Sequence, residues 1–423
     1  MSNNLKIWIF QTGEPLFCDG SDIRPMRAIN LASQLISSGH DVEIISSQFY
    51  HQKKIHRRRK LSNKKSKSIK HKETLIWSPG YKSNIGIMRF LDHLILSANL
   101  FIYLVFRLFK ERPDIFYIGY PPVDWSFSSI FVSKIFSIKS ILEVSDLWPD
   151  LFFEKNNKKS LDKIIRFIFL PYILMARYCA KSANAICAPT YEMANFFYSK
   201  YSAPSKNDKL IFETPLVPPP SVSKKDYVIS YPENNLSKKL NIIFFGSLMS
   251  IYDFKIVSQA LEKLSDLDIS LKIIGDGGSI KEIKNTFEGI SNVDFTGWLD
   301  YEKILRIVPD FDIALAPYKN ITNYKLNIPN KIVDYLSLGL PILSPLDGCV
   351  ERLIVENNIG FNYQNHNQES LIKILRNLTY DKKILFQMSK NSRNLYNKKF
   401  KFDVVYQNLE EKIKNQFLKN DNH

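Results

Sequence analysis

Apolar runs typical of strands alternate with amphipathic segments along the first half of the chain. The apolar runs are KIWIF, DVEII, TLIWS, DIFYIG, SILEV and AICAP. The segments between them show helical periodicity over 24–38, 86–110, 123–136 and 160–180. This βα alternation predicts a parallel sheet with helices on both faces.

The alternation stops at about 202–238, where Pro, Ser and Lys are too frequent for a helix or a central strand. It restarts at LNIIFFG and continues with helical patterns over 253–265, 279–289, 300–307, 329–338 and 350–356. The pattern therefore predicts an α/β protein with two Rossmann-like, doubly wound parallel-sheet domains. We place an N-terminal domain at 1–215, a linker at 216–238, a second domain at 239–398 and a C-terminal helical segment at 399–423.

The chain has 423 residues and a formal net charge of +16. Eleven positive charges lie in one segment, 51–72: Lys53, Lys54, Arg57, Arg58, Arg59, Lys60, Lys64, Lys65, Lys67, Lys70 and Lys72. Such a run repels itself, so we expect a mobile loop that attracts phosphates of lipid or nucleic acid. An anionic membrane surface is the preferred partner, because the segment lacks the interleaved aromatic residues that stack on bases.

The cysteines and the apolar segments bear on the compartment. Cys18, Cys179, Cys187 and Cys349 show no paired spacing, which favours reduced thiols and a cytoplasmic protein over disulfides or a zinc site. The N-terminus enters a strand directly, so no signal peptide is predicted. The apolar run 94–106 is too short to span a bilayer, and 167–176 contains Pro171. Both are predicted to be core helices or helices that lie on a membrane.

Small residues recur where the predicted strands end. The first strand ends near Gly13, and strands of the second domain end at Gly246-Ser247, at GDGG (275–278) and at APY (316–318). Ligands of open parallel sheets bind at the carboxyl ends of the strands, so these positions are candidate ligand contacts as well as simple turns. None of them forms the G-x-G-x-x-G dinucleotide fingerprint.

The stretch PNKIVDYLSLGLPIL (329–343) predicts a short helix. Pro329 suits the first turn, Gly339 suits the position after the last turn, and Pro341 prevents continuation. Lys331 and Asp334 lie three residues apart near its start. They are either a surface ion pair or an anion site, because a helix N-terminus already attracts negative charge.

The order of these motifs resembles the family-four glycosyltransferases of GT-B fold. FFGSL, LKIIGDGG, VDFTGWLDYEKI, DIALAPY, PNKIVDYLSLGLPIL and VERLIVENNIGF resemble the donor half, over about 240–363. The N-terminal IWIFQTGEP and ILEVSDLWPDLF resemble the acceptor half, most closely in transferases of bacterial surface polysaccharides, including O-antigen, lipopolysaccharide and capsule.

The resemblance implies transfer of a hexosyl or N-acetylhexosaminyl group from a nucleotide-sugar, with retention of configuration and without a metal or other cofactor. It also implies a cleft between the domains and a C-terminal helix that returns to the first domain. The acceptor would be a glycan, lipid-linked through a polyprenyl diphosphate, and the enzyme peripheral on the inner face of the membrane.

The expected site residues fall into three groups. We assign Lys331 to the leaving diphosphate, Asp334 to sugar or ribose hydroxyls, and Asp146 to assisting the acceptor. The donor is expected to contact Gly246, Ser247, Lys255, Gly275, Asp276, Tyr318 and Asn330. The acceptor side is expected to contain Gly13, Glu14, Arg24 and Arg27, the two arginines holding a lipid diphosphate, with Glu143 as a further carboxylate.

The sequence departs from the family at the clamp of the diphosphate. Two acidic residues eight apart are usual, and Asp334 matches the second while Leu326 stands at the first. The usual Arg and Lys of the first donor loop are replaced near Ser247 and Asp253. His40 is expected to be structural, and Asp310 and Asp312 begin a buried strand instead of binding a metal.

Two other classes remain open. A UDP-sugar 2-epimerase has the same architecture and would change the donor sugar without an acceptor. A nucleic-acid-binding protein would use the basic loop 51–72, but it would leave the glycines of the second half without a role.

Overall fold

The computed structural model describes residues 4–20, 23–57, 71–83, 86–153, 159–202, 210–215 and 239–417. The predicted linker 216–238 and most of the basic loop, 58–70, lie outside these residues. The chain divides into two compact units. The first unit is Met1–Pro215 with Val405–His423, and the second is Leu216–Val404.

The first unit contains a parallel sheet of seven strands in the order β5-β2-β1-β6-β7-β8-β9. Its strands are β1 (Lys6–Phe10), β2 (Asp41–Ser47), β5 (Lys72–Ile76), β6 (Ile115–Tyr120), β7 (Lys139–Val144), β8 (Ala185–Ala188) and β9 (Leu210–Glu213). Two short strands, β3 (Phe49–Tyr50) and β4 (Ile55–His56), pair as an antiparallel hairpin. β1 is central because its run KIWIF is apolar on both faces, as buried parallel strands are.

Helices cover this sheet in the predicted alternation. They are α1 (Arg27–Ser37), α2 (Ile87–Leu108), α3 (Val123–Ile135), α4 (Lys159–Ile168), α5 (Leu170–Ser182) and α6 (Tyr191–Tyr201). The prediction of a single helix over 160–180 is wrong, because the first helix ends at Ile168 and a second one begins at Leu170. Pro171 lies in the first turn of α5, where a missing N–H costs nothing.

The second unit has a parallel sheet of six strands in the order β12-β11-β10-β13-β14-β15. The strands are β10 (Leu240–Phe245), β11 (Ile269–Ile274), β12 (Val293–Gly297), β13 (Ile313–Leu315), β14 (Ile342–Ser344) and β15 (Gly360–Asn362). The helices are α7 (Phe254–Lys263), α8 (Ile280–Thr286), α9 (Tyr301–Ile307), α10 (Thr322–Lys325), α11 (Asn330–Ser337), α12 (Cys349–Asn357), α13 (Gln368–Tyr380) and α14 (Lys383–Leu395). The two parallel sheets confirm the predicted fold class.

The last helix, α15 (Phe402–Phe417), begins in the second unit and belongs to the first unit from Val405 onward. Its Glu410 accepts hydrogen bonds from Gln34 Nε2 at 2.9 Å and from Ser38 Oγ at 2.7 Å, both on or next to α1. Leu409 and Ile413 of this helix are buried. The described part of this helix from Val405 to Phe417 therefore contributes to the first unit's core.

Helix α2 corrects the expectation that no segment is long enough to span a bilayer. It has 22 residues, and within the described parts of the chain it is the one helix that passes a length and composition test for a membrane span. Leu96, Leu100, Leu104 and Leu108 are buried at helical spacing, so this face packs inside the first unit. Core helices of soluble proteins pass the same test.

Candidate functional site

Two loops of the second unit pack backbone against backbone where β10 and β11 end. Gly246 N donates to Ile274 O at 2.9 Å, and Leu248 N donates to Asp276 O at 2.9 Å. A Cβ on Gly275 would lie 2.0 Å from Gly246 O, and one on Gly277 would lie 2.2 Å from Leu248 O. These positions require glycine because any side chain would collide with backbone. The structure thus brings together four expected donor residues: Gly246, Ser247, Gly275 and Asp276.

Lys331 lies beside the first of these loops. Its side chain is buried, and its Nζ donates a hydrogen bond to the carbonyl oxygen of Phe245, the last residue of β10. The Nζ atom lies 4.1 Å from the ring centroid of Phe244 and 5.6 Å from that of Tyr252. A Cβ on Gly246 would be only 2.3 Å from it. The expected cation of the donor site therefore adjoins the glycine loop, in a mostly aromatic pocket.

Helix α11 holds Lys331 in place as its sequence predicts. The helix starts at Asn330 after Pro329, and Gly339 follows its end with φ of 70°. Asp334 is as buried as Lys331, each being 7% exposed, so the surface ion pair is ruled out. Asn330 is exposed on the first turn.

Of the remaining donor candidates, Tyr318 is packed in the interior and Lys255 lies at the surface. Tyr318 is buried against Tyr252 at 4.8 Å and Tyr324 at 5.3 Å between ring centroids, and burial raises its pKa well above the ordinary value. Lys255 is an exposed residue in the first turn of α7. Tyr318 therefore stabilises the end of β13, whereas Lys255 is available to solvent.

Asn327 was missed by the sequence interpretation. It is 9% exposed, and its Oδ1 accepts no hydrogen bond from the described residues. A buried acceptor without a partner costs free energy, so it marks a place where a hydroxyl or amide of a ligand would be favourable. The available signal was a polar residue inside the apolar run LNIPNKI, three residues before α11.

In the first unit, the expected acceptor residue Glu14 is buried at the end of the sheet. Its Oε2 accepts from Ala28 N at 3.0 Å, which caps α1, and its Oε1 accepts from Gln11 Nε2 at 3.0 Å. Burial raises the pKa of Glu14 to about 7, against the opposing effects of the Ala28 amide and Arg27. Gly13 precedes it with φ of 79° and has open space around its Cα.

The structure corrects the expected role of Arg27 and the expected start of the helix at residue 24. Arg27 was expected to hold a diphosphate, but its side chain is 12% exposed and its Nε lies 3.6 Å from Glu143 Oε1. It also donates to Ser145 Oγ. Burial raises the pKa of Glu143, and Arg27 opposes this rise. Arg27 therefore neutralises a buried carboxylate. Arg24 precedes α1 instead of lying in it, and is exposed.

Asp146 lies in the turn after β7, partly exposed, and its carbonyl oxygen accepts from Trp148 N at 3.0 Å. His40 is structural as expected, since its Nδ1 accepts from Leu5 N at 2.9 Å. Asp312 pairs with Lys382 at 3.1 Å and is thus engaged within the second unit.

Arg57 contradicts the expectation that the whole segment 51–72 is a mobile loop. It is 3% exposed, and its Nε lies 2.9 Å from Asp19 Oδ1. Its guanidinium also donates to Ser47 O and Glu14 O, both at 2.6 Å. Lys72 begins strand β5. Lys54 contacts the Tyr81 ring, so at least three of the eleven basic residues, Lys54, Arg57 and Lys72, are part of the folded unit.

The second unit matches a family model over residues 239–381, described as glycosyl transferases group 1. Residues 239–381 therefore resemble a glycosyltransferase group 1 domain. An uncharacterized glycosyltransferase of Haemophilus influenzae is 26% identical over 172 residues, 38% of this chain and 46% of that protein. The match thus spans about half the length of this curated relative.

Three solved structures resemble the whole chain. Sucrose-phosphate synthase from Thermosynechococcus elongatus has a TM-score of 0.72 at 10% identity, covering 98% of this chain and 100% of its own. Anabaena Alr3699/HepE in complex with UDP and glucose has 0.62 at 13%, covering 97% and 99%. WaaG, involved in lipopolysaccharide biosynthesis, has 0.61 at 13%, covering 96% and 99%. These structural likenesses show that the chain has the GT-B fold.

Proposed function

We propose that the protein transfers a sugar from a nucleotide-sugar to a lipid-linked glycan acceptor, with retention of configuration. The observation that carries this proposal is the glycosyltransferase domain itself, with its two glycine loops and a buried lysine at the ends of β10 and β11. Nucleotide diphosphates are anionic, and a site of this composition offers backbone N–H groups, a helix N-terminus and one ammonium group.

The donor is proposed to lie against Gly246 and Gly275, where the absence of side chains lets a phosphate approach the backbone closely. The Lys331 ammonium would give up its hydrogen bond to the Phe245 carbonyl, or keep it and also contact the diphosphate. In either case it would stabilise the negative charge of the leaving diphosphate. Asp334 and the unpartnered Asn327 Oδ1 would accept from ribose or sugar hydroxyls. HepE was solved with UDP and glucose, which supports a uridine donor.

A structural relative and the exposed apolar residues of the first unit support the proposed acceptor and location. WaaG acts in lipopolysaccharide biosynthesis, which supports an acceptor of this kind. Exposed apolar residues on α2, such as Ile102 and Phe106, would favour peripheral attachment to the cytoplasmic membrane face, helped by the basic residues of 51–72. A metal is not needed in this scheme, because Lys331 and helix α11 provide the positive charge.

A thermal-shift screen against UDP-, GDP- and TDP-sugars tests donor binding. A ligand at about 100 times its dissociation constant adds roughly 2.7 kcal/mol to stability, a shift of a few degrees. Lys331→Met keeps the stem between the aromatic rings and removes the charge. It should weaken donor binding about ten- to a hundredfold, because a charge-assisted contact contributes about 1.5–3 kcal/mol.

The matched control is Lys303→Ala, which removes a surface lysine of the same unit that pairs with Asp300 at 3.5 Å. It should bind the donor like the unmodified protein. An unchanged ligand-induced shift in Lys331→Met would remove Lys331 from the donor site, whatever the variant does to the melting temperature without ligand.

A further inference from the structure

A cluster of basic side chains lies at the carboxyl end of the first unit's sheet. We define the cationic cluster as His51, Lys54, Arg89 and His93. The first two lie in the hairpin turn after β2, and the other two lie in the first two turns of α2, after β5. This edge of a parallel sheet is where ligands bind. No role in the donor site or in the Glu14 region accounts for the cluster.

Tyr81 contacts all four members of the cationic cluster. Its hydroxyl hydrogen-bonds to His51 Nδ1, and Lys54 Nζ lies 3.0 Å from the same nitrogen. Lys54 Nζ is also 4.3 Å from the centroid of the Tyr81 ring, and Arg89 Cζ is 5.8 Å from it. The ring centroid of His93 is 6.1 Å away. Two cations and two imidazoles therefore surround one phenol.

Among the described residues, Lys54 and Arg89 bring two positive charges to this cluster, and Asp92 is the carboxylate beside them. Its charge acts on Lys54, and its Oδ1 already accepts from Gly80 N at 2.6 Å. The next carboxylate, Asp124, has its pKa raised to about 7 by burial and so carries reduced charge. Burial, with Lys54 and Arg89, lowers the pKa of His51 to about 4 and that of His93 to about 3. A bound anion would relieve this excess.

His93 also has an unused polar atom. The residue is 6% exposed, and its Nδ1 makes no hydrogen bond with any described residue. A buried ring nitrogen is favourable only if it has a partner, and an oxygen of a phosphoryl group would accept from it. Lys54 has φ of 56°, a backbone conformation uncommon for lysine.

A group of aromatic rings adjoins the cationic cluster, with Trp148 buried and Phe90 and Phe152 partly exposed. Arg89 Cζ lies 4.9 Å from the ring centroid of Trp148, whose ring is 4.8 Å from that of Phe152. Phe152 stacks on Phe169 at 4.8 Å, and Phe90 lies 5.8 Å from Phe169. Exposed apolar side chains continue this surface on α2 and near α4: Ile87, Met88, Leu91, Phe167 and Ile168. Charge and apolar surface side by side fit an amphiphilic ligand.

We propose that the cationic cluster binds the phosphoryl group of a phosphorylated lipid, whose first apolar carbons lie against the partly exposed rings of Phe90 and Phe152. The identification of this lipid with the acceptor rests on the proposed function. The binding itself does not, because it requires no nucleotide-sugar.

Calorimetric titration of the full chain tests the proposal with three probes: farnesyl diphosphate below its micellar concentration, inorganic pyrophosphate and farnesol. Farnesyl diphosphate should bind most tightly, pyrophosphate more weakly, and farnesol weakest. Arg89→Gln and Lys54→Gln should each weaken both phosphorylated probes about tenfold or more, since each removes a charge-assisted contact. His93→Gln is a third variant, which removes the imidazole but keeps a polar side chain.

Two controls separate this site from the donor site and from general charge. Lys53→Gln removes the neighbouring positive charge, which lies over Tyr50 at 5.9 Å, and should bind like the unmodified protein. Lys331→Met should also bind farnesyl diphosphate normally. Loss of binding in Lys331→Met with retention in folded Arg89→Gln and Lys54→Gln would overturn the proposal. Equal affinities for pyrophosphate and farnesyl diphosphate would overturn its lipid part.

The two proposals fail separately. If donor binding fails in the thermal-shift screen while farnesyl diphosphate binds through Arg89, the lipid site stands and the proposed transferase activity does not. If donor binding holds and the calorimetric variants are unaffected, only the lipid site is wrong.

Discussion

The two parallel sheets differ in the residues that lie at the carboxyl ends of their strands. In the second unit, the loops after β10 and β11 are glycine backbone packed on glycine backbone, with Lys331 as the buried charged group beside them. In the first unit, the corresponding edge is made of buried charged side chains, such as the Arg57–Asp19 pair and the Arg27–Glu143 pair.

This difference has a physical consequence for recognition. A surface made of backbone N–H groups binds any phosphate that can reach them. It therefore does not have to change when the sugar attached to that phosphate changes. A surface of paired side chains depends on charge balance, so it can be changed by one substitution. Under the proposed function, the second unit would therefore bind a common donor group and the first unit a particular acceptor.

The largest effect is expected at Arg57. Arg57→Ala leaves Asp19 buried without its cation, and removing one partner of a buried pair costs about 3–5 kcal/mol. Urea unfolding followed by tryptophan fluorescence measures this in the first unit, because Trp8, Trp77, Trp125 and Trp148 all lie there. Lys53→Ala, a nearby exposed lysine, is the control and should change stability by less than about 0.5 kcal/mol. Equal effects of the two variants would mean that Arg57 belongs to a mobile loop after all.

The next effect is expected in the glycine loops of the second unit. Gly275→Ala places a methyl group 2.0 Å from Gly246 O at a φ of 143°, so both strain and overlap destabilise the unit by about 2–4 kcal/mol. Gly278→Ala is the matched control, because its Cβ meets nothing within 4 Å. Hydrogen exchange measured by mass spectrometry over 239–404 reports the change. Slow exchange maintained there in Gly275→Ala would show that the backbone contact is not required.

The smallest effect concerns pH and the first unit. The folded state raises the pKa of Glu14 from 4.5 to about 7, so it binds more protons than the unfolded state between these values. Its contribution to stability is therefore present at low pH and decreases as pH rises from about 4.5 to 7. One pKa unit corresponds to about 1.4 kcal/mol, so the rise of about 2.5 units gives a loss of stability on the order of 3 kcal/mol.

Glu14→Gln cannot ionise and keeps an acceptor for Ala28 N, so its first unit should lose less stability than the unmodified protein between pH 5 and pH 8. Urea unfolding at the two pH values, followed by tryptophan fluorescence, measures the difference. Glu302→Gln, an exposed carboxylate on α9, should follow the unmodified profile. A Glu14→Gln profile that is parallel to the unmodified one would contradict a buried carboxyl with a raised pKa.

The sequence predicted those features of the fold that depend on local signals. Pro329 and Gly339 bound helix α11 as expected, and the βα alternation predicted both parallel sheets. The break at Phe169 was readable from Pro171, which suits the first turn of a new helix. Arg57 was not predictable, because its partner Asp19 is 38 residues away and a basic run by itself indicates solvent.

The same reason applies to the cationic cluster and to Asn327. His51, Lys54, Arg89 and His93 come from segments that meet only after the sheet has formed. Periodicity describes one segment at a time, so it shows neither this charge excess nor which polar atoms remain without a partner. Arg27 and Glu14 likewise interact with Tyr406 of helix α15, which joins the first unit from the other end of the chain.

The most direct test of the central claim is sugar transfer itself. The protein is incubated with a UDP-sugar and a polyprenyl-diphosphate-linked sugar, and the lipid product is examined by mass spectrometry. The account predicts a lipid product heavier by one sugar residue, released UDP, and loss of both in Lys331→Met. Conversion of the UDP-sugar into a different UDP-sugar without any acceptor, and no extended lipid with any nucleotide-sugar, would contradict it.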